Sequence, residues 1–413
     1  MKKSLKVFQV AIIALPVLFL LVSCDFMPKG HVGPSYSNSE SKPCPHSEIT
    51  FAVSVSDFLS EASGGCNDKA FLAAKDRVCS DVCSGAVVDD PMALLAAYYK
   101  EESHGGCLAD VFGNGDFPSD ATDDEIVALL SERYRMVMSD VVNNICLRAD
   151  NADIDIEYIN DAPGGAKTIC FEYDKRLPSS SVRKLVQRGC IQFWETYNLE
   201  QIDNNILPAI NVAYERAVRK DTAVAHLVNF IPHGDWMNVG FASSVIGYFH
   251  VNDKDSMDKF LALDEVKKAL PTDLYLMWGA TAIDLEGTGR CDYVELYAIR
   301  DCNRDGKAPL EGDVIDKAEA DFSYHGSEPC VCLNFNSTSM YTWANLTGKN
   351  IGRSIAIAID NVVYTAPTVN EKISGGNCVI SGCFTIEECK VLAACLSQSP
   401  LPFPTIIISQ SDR

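Results

Sequence analysis

Several function classes are missing from this sequence. It has no G-x-S-x-G, H-E-x-x-H, Walker or dinucleotide fingerprint, so no catalytic residue is assigned and no cofactor is expected. Histidines number only seven and no C-x-x-C pair occurs, which removes the usual zinc spacings. Basic residues are few: 35 Lys and Arg stand against 56 Asp and Glu, a net charge of −21. That balance excludes a nucleic-acid partner, which needs clustered cations, and electrostatic adhesion to anionic lipid. After Cys24 no run of 18 apolar residues occurs, so no spanning helix is expected there.

The beginning of the chain reads as a secretion signal. Lys2, Lys3 and Lys6 form a basic region and residues 10–22 an apolar run too short to span comfortably. Leu21-Val22-Ser23-Cys24 matches a bacterial lipobox, which makes Cys24 the expected lipidation site and the first residue of a mature lipoprotein. Residues 24–48 contain many Gly, Pro and Ser and no periodicity, and read as a flexible tether. Setting Cys24 aside leaves sixteen of the seventeen cysteines. In an exported chain that even number points to as many as eight disulfides, with connectivity open. Cys330 and Cys332 share one face of a strand, so each is expected to find a different partner.

Residues 348–404 are the most informative stretch. Ile355, Ile357 and Ile359 alternate with Ala356 and Ala358, as in a packed strand. Asp360-Asn361 is a turn pair, and Val362, Val363 and Tyr364 return as a hairpin partner. Thr385 and Glu388 form a capping box ahead of a helix burying Ile386, Cys389, Leu392, Ala393 and Leu396. Pro400, Pro402 and Pro404 stop it.

This stretch resembles the end of the first periplasmic domain of SecD, the protein-export subunit, and of its fused form SecDF. The family's N-x-G-x-x-(I/L)-A-I-x-L-D-x-x-V-x-(S/T)-A-P is met by Asn350, Gly352, Ala356, Asp360, Ala366 and Pro367. Ile373, Gly375, Gly376, Gly382, Glu387, Glu388, Leu401, Pro402 and Pro404 meet the motifs that follow. Residues 182–198 resemble a second SecDF segment through Phe193, Trp194, Glu195, Thr196 and Tyr197, and the likeness extends over residues 49–409. Residues 41–47 lack the family's L-G-L-D-L-x-G-G. The family's six-helix membrane block, with its proton-conducting Asp and Arg, has no counterpart in the sequence, so no proton-driven activity of its own is expected.

The remaining segments fit an α+β fold. A strand is read at 49–55, a capping box at Thr122 and Glu125, and a helix with Ile126, Leu130, Tyr134, Val137, Val141 and Ile145 on one stripe. A hairpin follows, with Ile154, Ile156 and Tyr158 opposite Ile169, Phe171 and Tyr173, then a short helix at 181–188 and a strand at 191–197. This β-α-β-β-α-β order is ferredoxin-like. The expected division is a signal peptide (1–23), the tether (24–48), a base with a helical insertion (49–203), an inserted α+β head (204–399) and a strand returning to the base (400–413). One helix is read over 255–270, and Trp194 and Trp343 as core residues.

Asp301, Asn303 and Asp305 with Gly306 match the first half of a calcium loop. The closing position holds Gly312, flanked by Glu311 and Asp313, so the preferred reading is a solvated turn and no metal. The resemblance implies Sec translocon components and unfolded exported polypeptide as partners. The lipobox at Cys24 implies a lipid-anchored place in the bacterial cell envelope, on the periplasmic side, with inner or outer membrane left open. The alternative is a duplicated, cysteine-rich envelope binding or structural lipoprotein with no export role.

Overall fold

The computed structural model describes residues 44–413, apart from 86–89, 114–116, 119, 221–230, 233–243, 286, 324–327 and 383. The signal and Cys24 lie outside the described residues. The fold is α+β, with separate antiparallel sheets in two lobes.

The first lobe grows from the strand His46–Val53, which begins inside the stretch expected as tether. Its side chains alternate: Ile49, Phe51 and Val53 are fully buried, while His46, Glu48 and Thr50 are half-exposed. The strands of its sheet run in the order Thr405–Asp412, His46–Val53, Lys167–Glu172, Asp155–Asp161. All neighbours are antiparallel. The helix Asp123–Asn151 starts at the Thr122–Glu125 capping box. It buries Ile126, Leu130, Tyr134, Met138, Val141 and Ile145 against the inner sheet face, with Val137 at the margin. The helices Val55–Ala62, Lys69–Cys83 and Pro91–Glu102 fill the insertion and join the same core.

The strand Ile191–Thr196 does not complete this sheet, contrary to expectation. It pairs with Ile355–Ile359 in the second lobe, placing Ala356 opposite Trp194 and Ile357 opposite Phe193. The fourth position in the first lobe's sheet belongs to Thr405–Asp412, which pairs along His46–Val53. A lone β-signal carries no address. The apolar partners of Phe193, namely Phe335 and Trp343, lie in the second lobe and decide its place.

The second lobe holds an eight-stranded and a three-stranded sheet. In the larger one Ile355, Ile357 and Ile359 face a core with Trp343, while Ala356 and Ala358 face another with Trp194 and Tyr248. Both tryptophans are 1% exposed. The three-stranded sheet runs Ile315–Phe322, Pro329–Phe335, Asn377–Ser381. The single helix expected over 255–270 is two, Lys254–Leu261 and Asp264–Ala269. Every described cysteine is a free thiol, so no disulfide joins the described residues. Among the described residues no helix is long and apolar enough to cross a membrane.

Candidate functional site at the lobe junction

The chain passes between the lobes at 187–190 and again at 397–404. The two crossings are bonded to each other: Leu401 N–H donates to Arg188 O at 2.9 Å, and Arg188 Nε donates to Leu401 O at 3.2 Å. From the base, Arg148 reaches the first crossing. It follows Ile145 on the buried stripe of Asp123–Asn151 and is fully buried. Its Nη1 donates to Leu185 O at 3.2 Å and Gln187 O at 2.6 Å, and its Nη2 to Arg188 O at 2.9 Å. Gly189 lies beside it with φ +75°, and a Cβ there would sit 3.0 Å from Arg148 Nη2. Backbone hand and guanidinium approach both demand glycine.

From the head, Asp360 holds the next residues. Its carboxylate accepts from Gly189 N–H and Cys190 N–H, each at 2.9 Å. Asp360 and Asn361 have φ of 52° and 64°, the left-handed pair that a two-residue hairpin turn needs. Gln192 donates to Asn361 Oδ1 at 3.0 Å and accepts Asn361 N–H at 2.9 Å, fixing the turn on the strand.

The helix Ile386–Leu396 seals the junction. Its Thr385–Glu388 capping box forms as expected. Burial, however, runs all round rather than on one face. Val391, Ala394 and Cys395 pack in the base core; Cys389, Leu392, Ala393 and Leu396 pack in a head core. Ile386 is half-buried at the start. Glu388 accepts the Ser181 hydroxyl across the interface at 3.0 Å. Burial lowers the Lys184 ammonium, opposed by Glu388. Burial likewise lowers the Arg148 guanidinium, opposed by Cys395 and Asp360. Two cations are thus desolvated where the lobes meet, with the Glu388 carboxylate opposing the shift at Lys184 and three backbone carbonyls accepting from Arg148. The arrangement bonds the two crossings to each other and to both lobes.

The residues that the sequence singles out lie elsewhere. Asp301 is buried, and both its carboxylate oxygens accept loop amides, from Arg304 at 2.7 Å and Gly306 at 2.8 Å. Asn303 and Asp305 are exposed on the same loop, and Asp305 accepts Lys307 N–H at 3.0 Å. Trp194 Nε1 and Trp343 Nε1 are buried without a hydrogen-bond partner. Asp360 is visible in the sequence as a motif residue, but not as the clasp of a crossing. Arg148 is missed altogether, although a cation on an apolar stripe is itself a signal.

Residues 301–403 match the family described as SecDF, P1 head subdomain. The chain is 34% identical over 166 residues to the protein translocase subunit SecD of Rhodothermus marinus, covering 40% of this chain and 26% of that protein. It is 39% identical over 101 residues to SecD of Calditerrivibrio nitroreducens, covering 24% and 20%. The chain carries a SecD/SecDF P1 region. It spans about a fifth to a quarter of the length of these two SecD relatives. The P1 head match takes in the Asp360 turn, the helix Ile386–Leu396 and most of the second crossing. Arg148 and the first crossing precede it. A solved SecDF structure, "Crystal structure of SecDF in Super-membrane-facing form", is similar at 17% identity and a TM-score of 0.34. The likeness covers 67% of this chain and 28% of that one, too loose to carry an argument.

Proposed function

We propose that this protein is an accessory of Sec-dependent protein export, held at the envelope by a lipid on Cys24, whose head contacts unfolded exported polypeptide. The observation that carries the reading is the SecDF P1 head match over 301–403. The base is read as ferredoxin-like, supported by its strand order and by the crossovers Asp123–Asn151 and Ser179–Val186. The lipid anchor is supported by Leu21-Val22-Ser23-Cys24 behind a basic and apolar leader. Partners of this kind are gripped by adding a strand to a sheet edge or by filling an apolar groove. The strand Ile315–Phe322 is the edge of the three-stranded sheet, and Phe322 at its end is 51% exposed. Disulfide pairing among the sixteen cysteines other than Cys24 belongs to this envelope reading, with the described cysteines all free thiols in the structure.

A photo-crosslinker at Phe322, or at Tyr341, which is 79% exposed on the helix Ser337–Lys349, is expected to label a stalled translocating substrate. No adduct from either position, with the protein well expressed, rejects the export reading and leaves the cysteine-rich envelope lipoprotein. Mass spectrometry of the mature, non-reduced protein reads the Cys24 lipid and the disulfides together.

A further inference from the structure

The outer face of the base sheet carries a side-chain cluster that the lobe junction does not use. His46, Cys170 and Glu157 come from three adjacent strands, and one ligand atom from each lies within 4.8 Å of the others. Glu157 Oε2 is 3.5 Å from His46 Nδ1 and 3.3 Å from Cys170 Sγ. Bonds of about 2.0–2.3 Å to a tetrahedral zinc place its ligand atoms roughly 3.3–3.8 Å apart, so both separations fit one ion.

The backbone builds this arrangement. Register pairs Glu48 with Cys170 and His46 with Glu172. The ladder to the next strand is irregular between Ile156 and Tyr158. The extra residue leaves Glu157 and Tyr158 on the same outer face, which is how a bulge re-aims a side chain. Tyr158 donates its hydroxyl to Glu48. The other imidazole nitrogen, Nε2 of His46, lies 3.8 Å from Glu172. At that distance Glu172 is an ion-pair neighbour rather than a hydrogen-bond acceptor, on the side from which a carboxylate orients a metal-bound histidine. A cleft of about 130 Å³ opens over the group, with Arg413 and Ser411 on its rim.

We propose that His46, Glu157 and Cys170 bind a zinc-class divalent cation, with Glu172 orienting His46 and water completing the shell. Histidine count and cysteine spacing point away from zinc because the three ligands are brought together by sheet pairing, not by closeness along the chain. A soft thiolate with an imidazole selects zinc or its cobalt surrogate over calcium or magnesium.

The test uses the full chain in detergent, stripped of metal under reducing conditions, and Zn2+ or Co2+ alone as probe. One equivalent of Zn2+ is expected to resist a competing chelator. Co2+ is expected to give a thiolate charge-transfer band that C170S abolishes and the double variant C330S/C332S retains. H46A and E157Q should each weaken binding at least tenfold, and E172Q by roughly 10–100-fold, with unchanged circular dichroism. The proposal is overturned if no tight equivalent binds, if the band survives C170S, or if the mature protein holds Cys170 in a disulfide. None of these outcomes bears on crosslinking from the head, so the two readings fail separately.

Discussion

The base and head sheets bury their surfaces in different ways. His46–Val53 meets helices on one face and solvent on the other, and its sequence alternates Ser-Ile-Phe inward with His-Glu-Thr outward. Ile355–Ile359 is buried at every position, with isoleucine filling one core and alanine the other. One-sided sheets keep a face free for polar chemistry; two-sided sheets give that up for a rigid centre. The helix Ile386–Leu396 joins the two by belonging to both cores, so independent movement of the lobes would have to unpack one side of it.

Removing Arg148 should disturb that join most. Bonds from a charged donor contribute about 1.5–3 kcal/mol each, and three carbonyls depend on this one side chain. R148A is expected to lower the unfolding free energy by roughly 3–5 kcal/mol in urea titration. A loss below about 1 kcal/mol would show that the junction does not lean on it. D360A should cost about 2 kcal/mol by loss of both amide acceptances. D360N should cost roughly half, because asparagine keeps an acceptor and tolerates the left-handed turn. T385A removes the capping box of Ile386–Leu396 and should cost about 1 kcal/mol, read as faster amide exchange in that helix.

The smallest effect concerns the second lobe alone. Burial pushes the Asp273 carboxyl up, but the Tyr197 hydroxyl at 2.7 Å and the Arg300 guanidinium at 3.1 Å outweigh it and hold the group below its ordinary value. Its stabilisation is therefore complete above the ordinary carboxylate range and is lost as pH falls through the lowered value. D273N should be less stable than the parent at neutral pH and converge with it in acid. Parallel stability curves would remove Asp273 from the account.

What is legible in the sequence divides along the same line. Alternation at Ile49 and Phe51, the stripe of Asp123–Asn151 and both capping boxes are local patterns; the helices form where theirs lie, while the strand read at 49–55 forms at His46–Val53 and a helix takes over at Val55. The strand 191–197 is legible as a strand but not as a member of the head, since its sheet is chosen by Ile357 and Phe335 far along the chain. Ile386–Leu396 reads Cys-Lys-Val-Leu-Ala-Ala-Cys-Leu from Cys389 onward; an almost unbroken apolar run of this kind is buried all round, and a one-face reading understates it. The roles of Arg148 and Glu157 are not legible: one depends on carbonyls of Leu185, Gln187 and Arg188 at and beyond the end of another helix, the other on a ladder irregularity.

The strand His46–Val53 is flanked on both sides, and its first residue exchanges two hydrogen bonds with Arg413, at 3.0 and 2.8 Å. Tension entering the lobe from the residues before it would run along an interior strand, parallel to two ladders. Those bonds are loaded together in shear rather than peeled one at a time. A pull from that side would therefore meet both ladders of the strand at once.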